Sequence, residues 1–257
     1  MRSFLRLAFA AVLAAAPLVA APLAAKAQSI TPEQRGEIER IIKDYLLKNP
    51  EVLQEAIAEL EKKQSVAEAA KHQAAVKDNK EAIFSSPRQV TVGNPQGDVT
   101  FVEFFDYNCG YCKRAMEDMM VLMKEDPKLK VVLKEFPVLG PGSLEAARVA
   151  VAVRMQDKTG KKYLDFHQKL LMGRGQADKA RAMAAAKEAG LDVGRIEKDL
   201  AGDEVKASLE EAFKLAEKLG LNGTPSYVIG DNVVVGAVGL AVLREKINSA
   251  RCGKATC

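Results

Sequence analysis

Several things are scarce in this chain of 257 residues, and each scarcity excludes a class of protein. There is no surplus of charge. Of 38 Lys and Arg, three (Arg2, Arg6 and Lys26) lie in a leading stretch without a single acid, so the remainder carries 35 bases against 34 acids, a net of +1. Nothing in that balance argues for a nucleic-acid partner. Histidine is limited to His72 and His167 and cysteine to four positions, and neither histidine sits in a ligand pattern. A zinc knuckle needs a second ligand pair at matching spacing, and Cys252 and Cys257, with four residues between them, do not supply one. Beyond the first 27 residues there is no apolar run long enough to span a bilayer. A hydrophobic content of 48% nevertheless excludes a disordered chain.

Met1 to Ala27 has basic residues at its start, an Ala/Leu/Val run and Ala25-Lys26-Ala27 as a cleavage site, the pattern of a secretory signal peptide. An uncleaved anchor is the alternative, since Leu7 to Ala25 carries no charge. Pro17, Pro22 and the alanine-rich composition speak against it. Export to the oxidising periplasm is therefore expected, the kind of compartment in which paired cysteines are chemically useful.

The stretch that organises the rest is Val99 to Met120. Val99 to Phe105 is a run of aromatic and β-branched residues and reads as a buried central strand. Lys113 to Met120 has apolar residues at helical spacing with no Gly or Pro, so a helix is expected to begin at or near Cys109 in Cys109-Gly110-Tyr111-Cys112. Unpaired amides at a helix start stabilise a thiolate, the form of cysteine that attacks disulfides, which makes Cys109 the expected nucleophile. Cys112, three residues on, is placed to close a disulfide with it, and the pair reads as a redox couple.

Upstream, Thr31-Pro32-Glu33-Gln34 is a helix start with a capping box, and Asn49-Pro50 separates two amphipathic helices. Ile38, Ile41, Ile42, Tyr45 and Leu46 form one apolar stripe, and Leu53, Ile57 and Leu60 contribute to another. A stretch from Glu61 to Glu81, charged and alanine-rich, continues as helix. Such a segment must dock on its own domain or on copies of itself, and residues 28–83 are read here as a homo-oligomerisation segment. The domain proper, 84–257, has a short edge strand at Gln89 to Val92, a second buried strand at Leu129 to Phe136 parallel to the first, and helices over about 143–219 with no strand signal. A hairpin follows Thr224-Pro225 and a last helix runs from Leu240 to Ala250. Cys252 and Cys257 suit a small disulfide loop, with a disordered tail carrying free thiols as the alternative. His167, beside Phe166 and Leu170, reads as a packed or surface histidine.

Strand, CxxC helix, strand, helical insertion and a Gly-Thr-Pro hairpin together resemble the thioredoxin-fold thiol-disulfide oxidoreductases, in particular the exported DsbA-like group. The resemblance implies an α/β thioredoxin-like fold with a large helical insertion, an enzyme without cofactor or bound metal, and a cis peptide before Pro225. It further implies that Gly110, Tyr111, Thr224 and Pro225 contact the client, and that Glu103 is the buried acid that relays the proton of Cys112. A trans proline and an outward Glu103 are the competing readings. The dipeptide Gly110-Tyr111 lacks the histidine of the oxidase DsbA, which makes Cys109 less acidic and brings the motif closer to the isomerase DsbC. The helical N-terminal extension is similar in layout to the oligomeric ScsC proteins. An isomerase or reductase acting on unfolded or misfolded exported proteins, reset by a membrane redox partner, is the expectation. A monomeric dithiol oxidase and a copper-stress protein holding Cu(I) are the alternatives.

Overall fold

The computed structural model describes residues 30–257; the expected signal peptide, residues 1–27, lies outside them. The described residues divide into two compact units that part between Ala58 and Glu59. In the first, helix α1 (Pro32–Lys48) opens with both halves of the capping box: Gln34 N–H donates to Thr31 Oγ1 and Thr31 N–H to Gln34 Oε1. It buries none of its residues, and Ile38, Ile41, Ile42 and Tyr45 are all exposed. Helix α2 (Glu51–Asp78) begins after Asn49-Pro50.

The second unit is built on a five-stranded sheet. Its strands are β1 (Val90–Gly93), β2 (Val99–Phe105), β3 (Leu129–Glu135), β4 (Ser226–Ile229) and β5 (Asn232–Val235), in the order β1-β3-β2-β4-β5. Strand β2 is central, paired in parallel with β3 and antiparallel with β4. Helix α4 (Gly110–Glu125) joins β2 to β3, the crossover a parallel pair requires. Five helices lie between β3 and β4: α5 (Pro141–Gln156), α6 (Lys161–Met172), α7 (Lys179–Glu188), α8 (Val193–Asp199) and α9 (Asp203–Lys218).

Side chains alternate across the sheet, and each face has its own core. Phe101, Phe105, Tyr227 and Ile229 pack with α4, α6 and the last helix, α10 (Leu240–Cys252). Val102, Phe104, Val132 and Val228 pack on the opposite face with Leu215, Ala216 and Leu219. That second core also takes in Val76 from the end of α2 and Ile83 from α3 (Lys80–Phe84), both with no exposure at all. The structural division therefore falls at 58/59 and not at 83/84, because Val76 from the alanine-rich stretch and Ile83 just after it complete the sheet's second face. The last helix also runs further than its periodicity indicates, to Cys252, where Gly253 takes a left-handed conformation (φ 75°) and turns the chain back. Cys252 and Cys257 are bridged across that turn.

Candidate functional site

The loop from β2 to α4 is held from below by two polar residues. Asp106, 1% exposed, accepts from Asn108 N–H (2.7 Å) and Ser143 Oγ–H (2.7 Å) on one carboxylate oxygen and from Leu139 N–H (2.9 Å) on the other. Asn108 donates to Ser143 Oγ and to the Ala177 carbonyl, both at 2.9 Å, and accepts from Ala177 N–H. The residue immediately before Cys109 is thus bonded to two points in the helical insertion, and Cys109 N–H itself donates to the Asp106 carbonyl (3.1 Å).

Cys109 occupies the N-cap of α4, and its Sγ accepts from Cys112 N–H at 3.3 Å. Both cysteines are unbridged and buried. The Thr224–Pro225 peptide is cis and brings the Thr224 carbonyl to 3.2 Å from the Cys109 sulfur, to which the thiol donates. The Cys109 thiol is brought down from its ordinary 9.0 to about 6, chiefly by a hydrogen bond from the Cys112 thiol, with the Thr224 side chain and the helix-start amides of Cys112 and Tyr111 adding to it. Cys112 moves strongly upward, because it donates to Cys109 and is itself desolvated. The thiolate is thus favoured at one sulfur and the thiol at the other. Between them, a side chain at Gly110 would meet open space, and Tyr111 is 69% exposed.

Glu103 points inward from β2 and is 2% exposed. Burial raises its carboxyl from 4.5 to about 8, with the charges of Cys109 and Asp118 adding to the rise. A carboxyl held neutral by the fold contributes stability below its ordinary value and loses that contribution as pH climbs through the folded value. Wild-type stability is therefore expected to fall by a few kcal/mol between about pH 4.5 and 8, and Glu103→Gln to remove that fall. Denaturant unfolding at a series of pH values checks this; parallel curves for the two proteins would place the pH dependence elsewhere.

The bridge between Cys252 and Cys257 lies at the exposed C-terminal tail. His167 is buried against Phe105 and Tyr107, its Nδ1 3.1 Å from the Tyr107 hydroxyl, and burial lowers it to about 3, so it is neutral. A second buried acid escapes sequence reading: Glu135, at the end of β3, accepts from Tyr163 Oη–H at 2.5 Å and is raised well above its ordinary value by burial. Asp106 and Asn108 carry a signal that the sequence does offer, polar residues directly after a buried strand and before a cysteine pair.

A family model described as the DSBA-like thioredoxin domain matches residues 100–248, and one described as the copper resistance protein ScsC N-terminal domain matches residues 34–67. The chain belongs to the DsbA-like thioredoxin-fold family of thiol-disulfide oxidoreductases and carries an ScsC-type N-terminal domain. A thioredoxin-like oxidoreductase from Silicibacter pomeroyi DSS-3 is 43% identical to it, over 67% of this chain and 98% of its own, with a TM-score of 0.64. ScsC of Proteus mirabilis, in a transitional conformation, is 28% identical over 88% of this chain and 98% of its own, with a TM-score of 0.63. A probable disulfide bond formation protein D from Bacillus cereus is 24% identical over 168 residues, 61% of this chain and 77% of its own.

Proposed function

We propose that this protein is an exported, periplasmic enzyme that reduces or isomerises disulfides in unfolded or misfolded proteins, working as a homo-oligomer through its N-terminal segment. The observation that carries the redox role is the Cys109 sulfur at a helix N-cap, opposite the cis Thr224–Pro225 peptide and lowered to about 6. Cys109 thiolate attacks a client disulfide, forming a Cys109–client bond and releasing one client sulfur as a thiolate that takes a proton from water. Cys112 then gives its proton to the Glu103 carboxylate and attacks the Cys109 sulfur; the Cys109–Cys112 disulfide forms and the second client sulfur leaves. The client disulfide is reduced and the enzyme dithiol oxidised, which a membrane reductase must reverse. In isomerisation a client thiol displaces Cys109 first, and the enzyme ends as it began.

Thr224, half-buried beside a cis proline and next to the Cys109 sulfur, lines up an extended client segment, and Tyr111 supplies an exposed aromatic face next to the nucleophile. The choice of isomerase over oxidase rests on the exposed stripe of α1, since an assembly holds several pairs around one client. The test is the redox state of Cys109 and Cys112 in freshly lysed cells. Thiol trapping is expected to find them reduced; finding them oxidised makes a dithiol oxidase the better reading.

A further inference from the structure

A buried proton acceptor needs a way to lose its proton again. In the resting enzyme the Cys109 thiolate helps keep Glu103 protonated, and that charge disappears once the sulfur is bonded to a client. Glu103 must then release a proton to water before it can take the one on Cys112. No hydrogen bond links its carboxyl to any described residue, so the proton has no direct side-chain wire. Glu103 is nevertheless 2% and Tyr227 1% exposed, so neither side chain is completely closed off from solvent.

The geometry gives that contact a direction. Tyr227 is the register partner of Glu103 on the antiparallel strand β4, so the two side chains stand side by side on the face covered by α4. On β3 the register partner is Leu133, which carries no charge. From α4 the titratable groups on this side are Cys109, Cys112 and Asp118; from α10 the buried groups are Leu243 and Ile247, both apolar. Asp118 and Glu125 are seven residues apart on α4 and so share one side of the helix. Glu125 accepts from Arg244 of α10, which identifies that side as the one turned to α10, itself packed on β2 and β4. Asp118 is half-buried, makes no hydrogen bond or ion pair among the described residues, and its charge acts on both Glu103 and Tyr227.

We propose that Asp118 is the solvent-side station through which Glu103 exchanges its proton, past its strand neighbour Tyr227 and on the side of α4 turned to α10. The inference rests on Glu103 being the acceptor for Cys112. Asp118 never touches client or sulfur and acts only through Glu103, as a positioning residue for the proton. In the step it serves, the O–H bond of Glu103 breaks, its proton passes by water to the Asp118 carboxylate and on to bulk solvent, and the Glu103 carboxylate so formed takes the Cys112 proton as the new S–S bond closes.

The test is single-turnover release of glutathione from a Cys109–glutathione mixed disulfide of the full mature chain. Asp118→Ala is expected to slow release by roughly tenfold, below the 10² or more of a positioned acid or base in direct contact. Added formate, a small carboxylate that can stand in for the missing side chain, is expected to restore the rate saturably, which a purely structural defect would not allow. Asp118→Glu is expected to stay near the wild-type rate. Release from Asp118→Ala at the wild-type rate, or a slow rate that formate leaves unchanged, overturns the inference. Glu103→Gln separates the two layers: if it slows release while Asp118→Ala does not, Glu103 stands and the exit route is wrong, and if Glu103→Gln releases normally, the acceptor role itself is wrong.

Discussion

Cys109→Ala is expected to reduce thiol-disulfide exchange to background, while Cys112→Ala is expected to leave the protein covalently attached to its clients. Attack requires the thiolate. A thiol at about 6 is roughly 90% ionised at neutral pH, against about 1% at its ordinary 9.0. Cys112 loses its bond to Cys109 in the first variant but remains desolvated with no exposure, which holds it in the thiol form, so it cannot substitute for the lost nucleophile. With Cys112 gone, the first step proceeds and the resolving step has no sulfur, so mixed disulfides accumulate. The variant itself removes one of the hydrogen bonds that lower Cys109, so the adducts form more slowly than the wild-type intermediate does. Non-reducing gels and mass spectrometry of each variant mixed with a disulfide-bonded client read the outcome directly. Adducts on Cys109→Ala and none on Cys112→Ala would reverse the two roles.

The second large effect concerns the N-terminal helices. Ile38, Ile41, Ile42, Tyr45, Leu53 and Ile57 are each between 44% and 58% exposed in the single chain. Covering large apolar side chains contributes roughly 1.5–3 kcal/mol each, so several together suffice to hold copies of the chain as a closed dimer or trimer. Deleting residues 28–58 is expected to give a folded monomer that keeps simple dithiol exchange and loses isomerisation of a scrambled client. The position of the cut decides the result. Deletion to residue 83 also removes Val76 and Ile83, fully buried beneath Phe104 and Val132, and two such losses are a large share of a domain stability of about 5–15 kcal/mol. That longer deletion is expected to unfold or aggregate. Sedimentation of the full mature protein and of both deletions checks all three statements, and a monomeric full-length protein at micromolar concentration would remove the oligomeric isomerase from consideration.

Much of this fold could be read along the chain because its signals are local. The aromatic and β-branched run of β2, the Gly/Pro-free helix after the cysteines and the turn residues of the β4–β5 hairpin each declare themselves within a dozen residues. Val76 and Ile83 did not. They sit in or just after an alanine-rich stretch where few large side chains mark a periodic face, and their burial depends on a sheet surface that only the assembled strands create. The surroundings of the nucleophile were hidden for a related reason. Asn108 meets Ser143 and Ala177, and Glu103 meets Tyr227, across tens of residues to more than a hundred of sequence, and a register between distant strands leaves no trace in one sequence. Glu135 and Asp118 were masked by their chemistry: an acid in a charged helix or at the end of a strand reads as solvated until its neighbours are known.

The two residues between the cysteines touch almost nothing. A side chain at Gly110 would enter open space, and Tyr111 leaves most of its surface to water, while Asp106, Asn108 and the core beneath fix the backbone that carries them. Packing and chemistry are thereby uncoupled at this spot. A lineage can exchange the dipeptide, and with it the driving force toward reducing or oxidising clients, while the interior remains intact. A shift in the redox preference of the pair is for this architecture a change of two surface letters, open to selection at little structural risk.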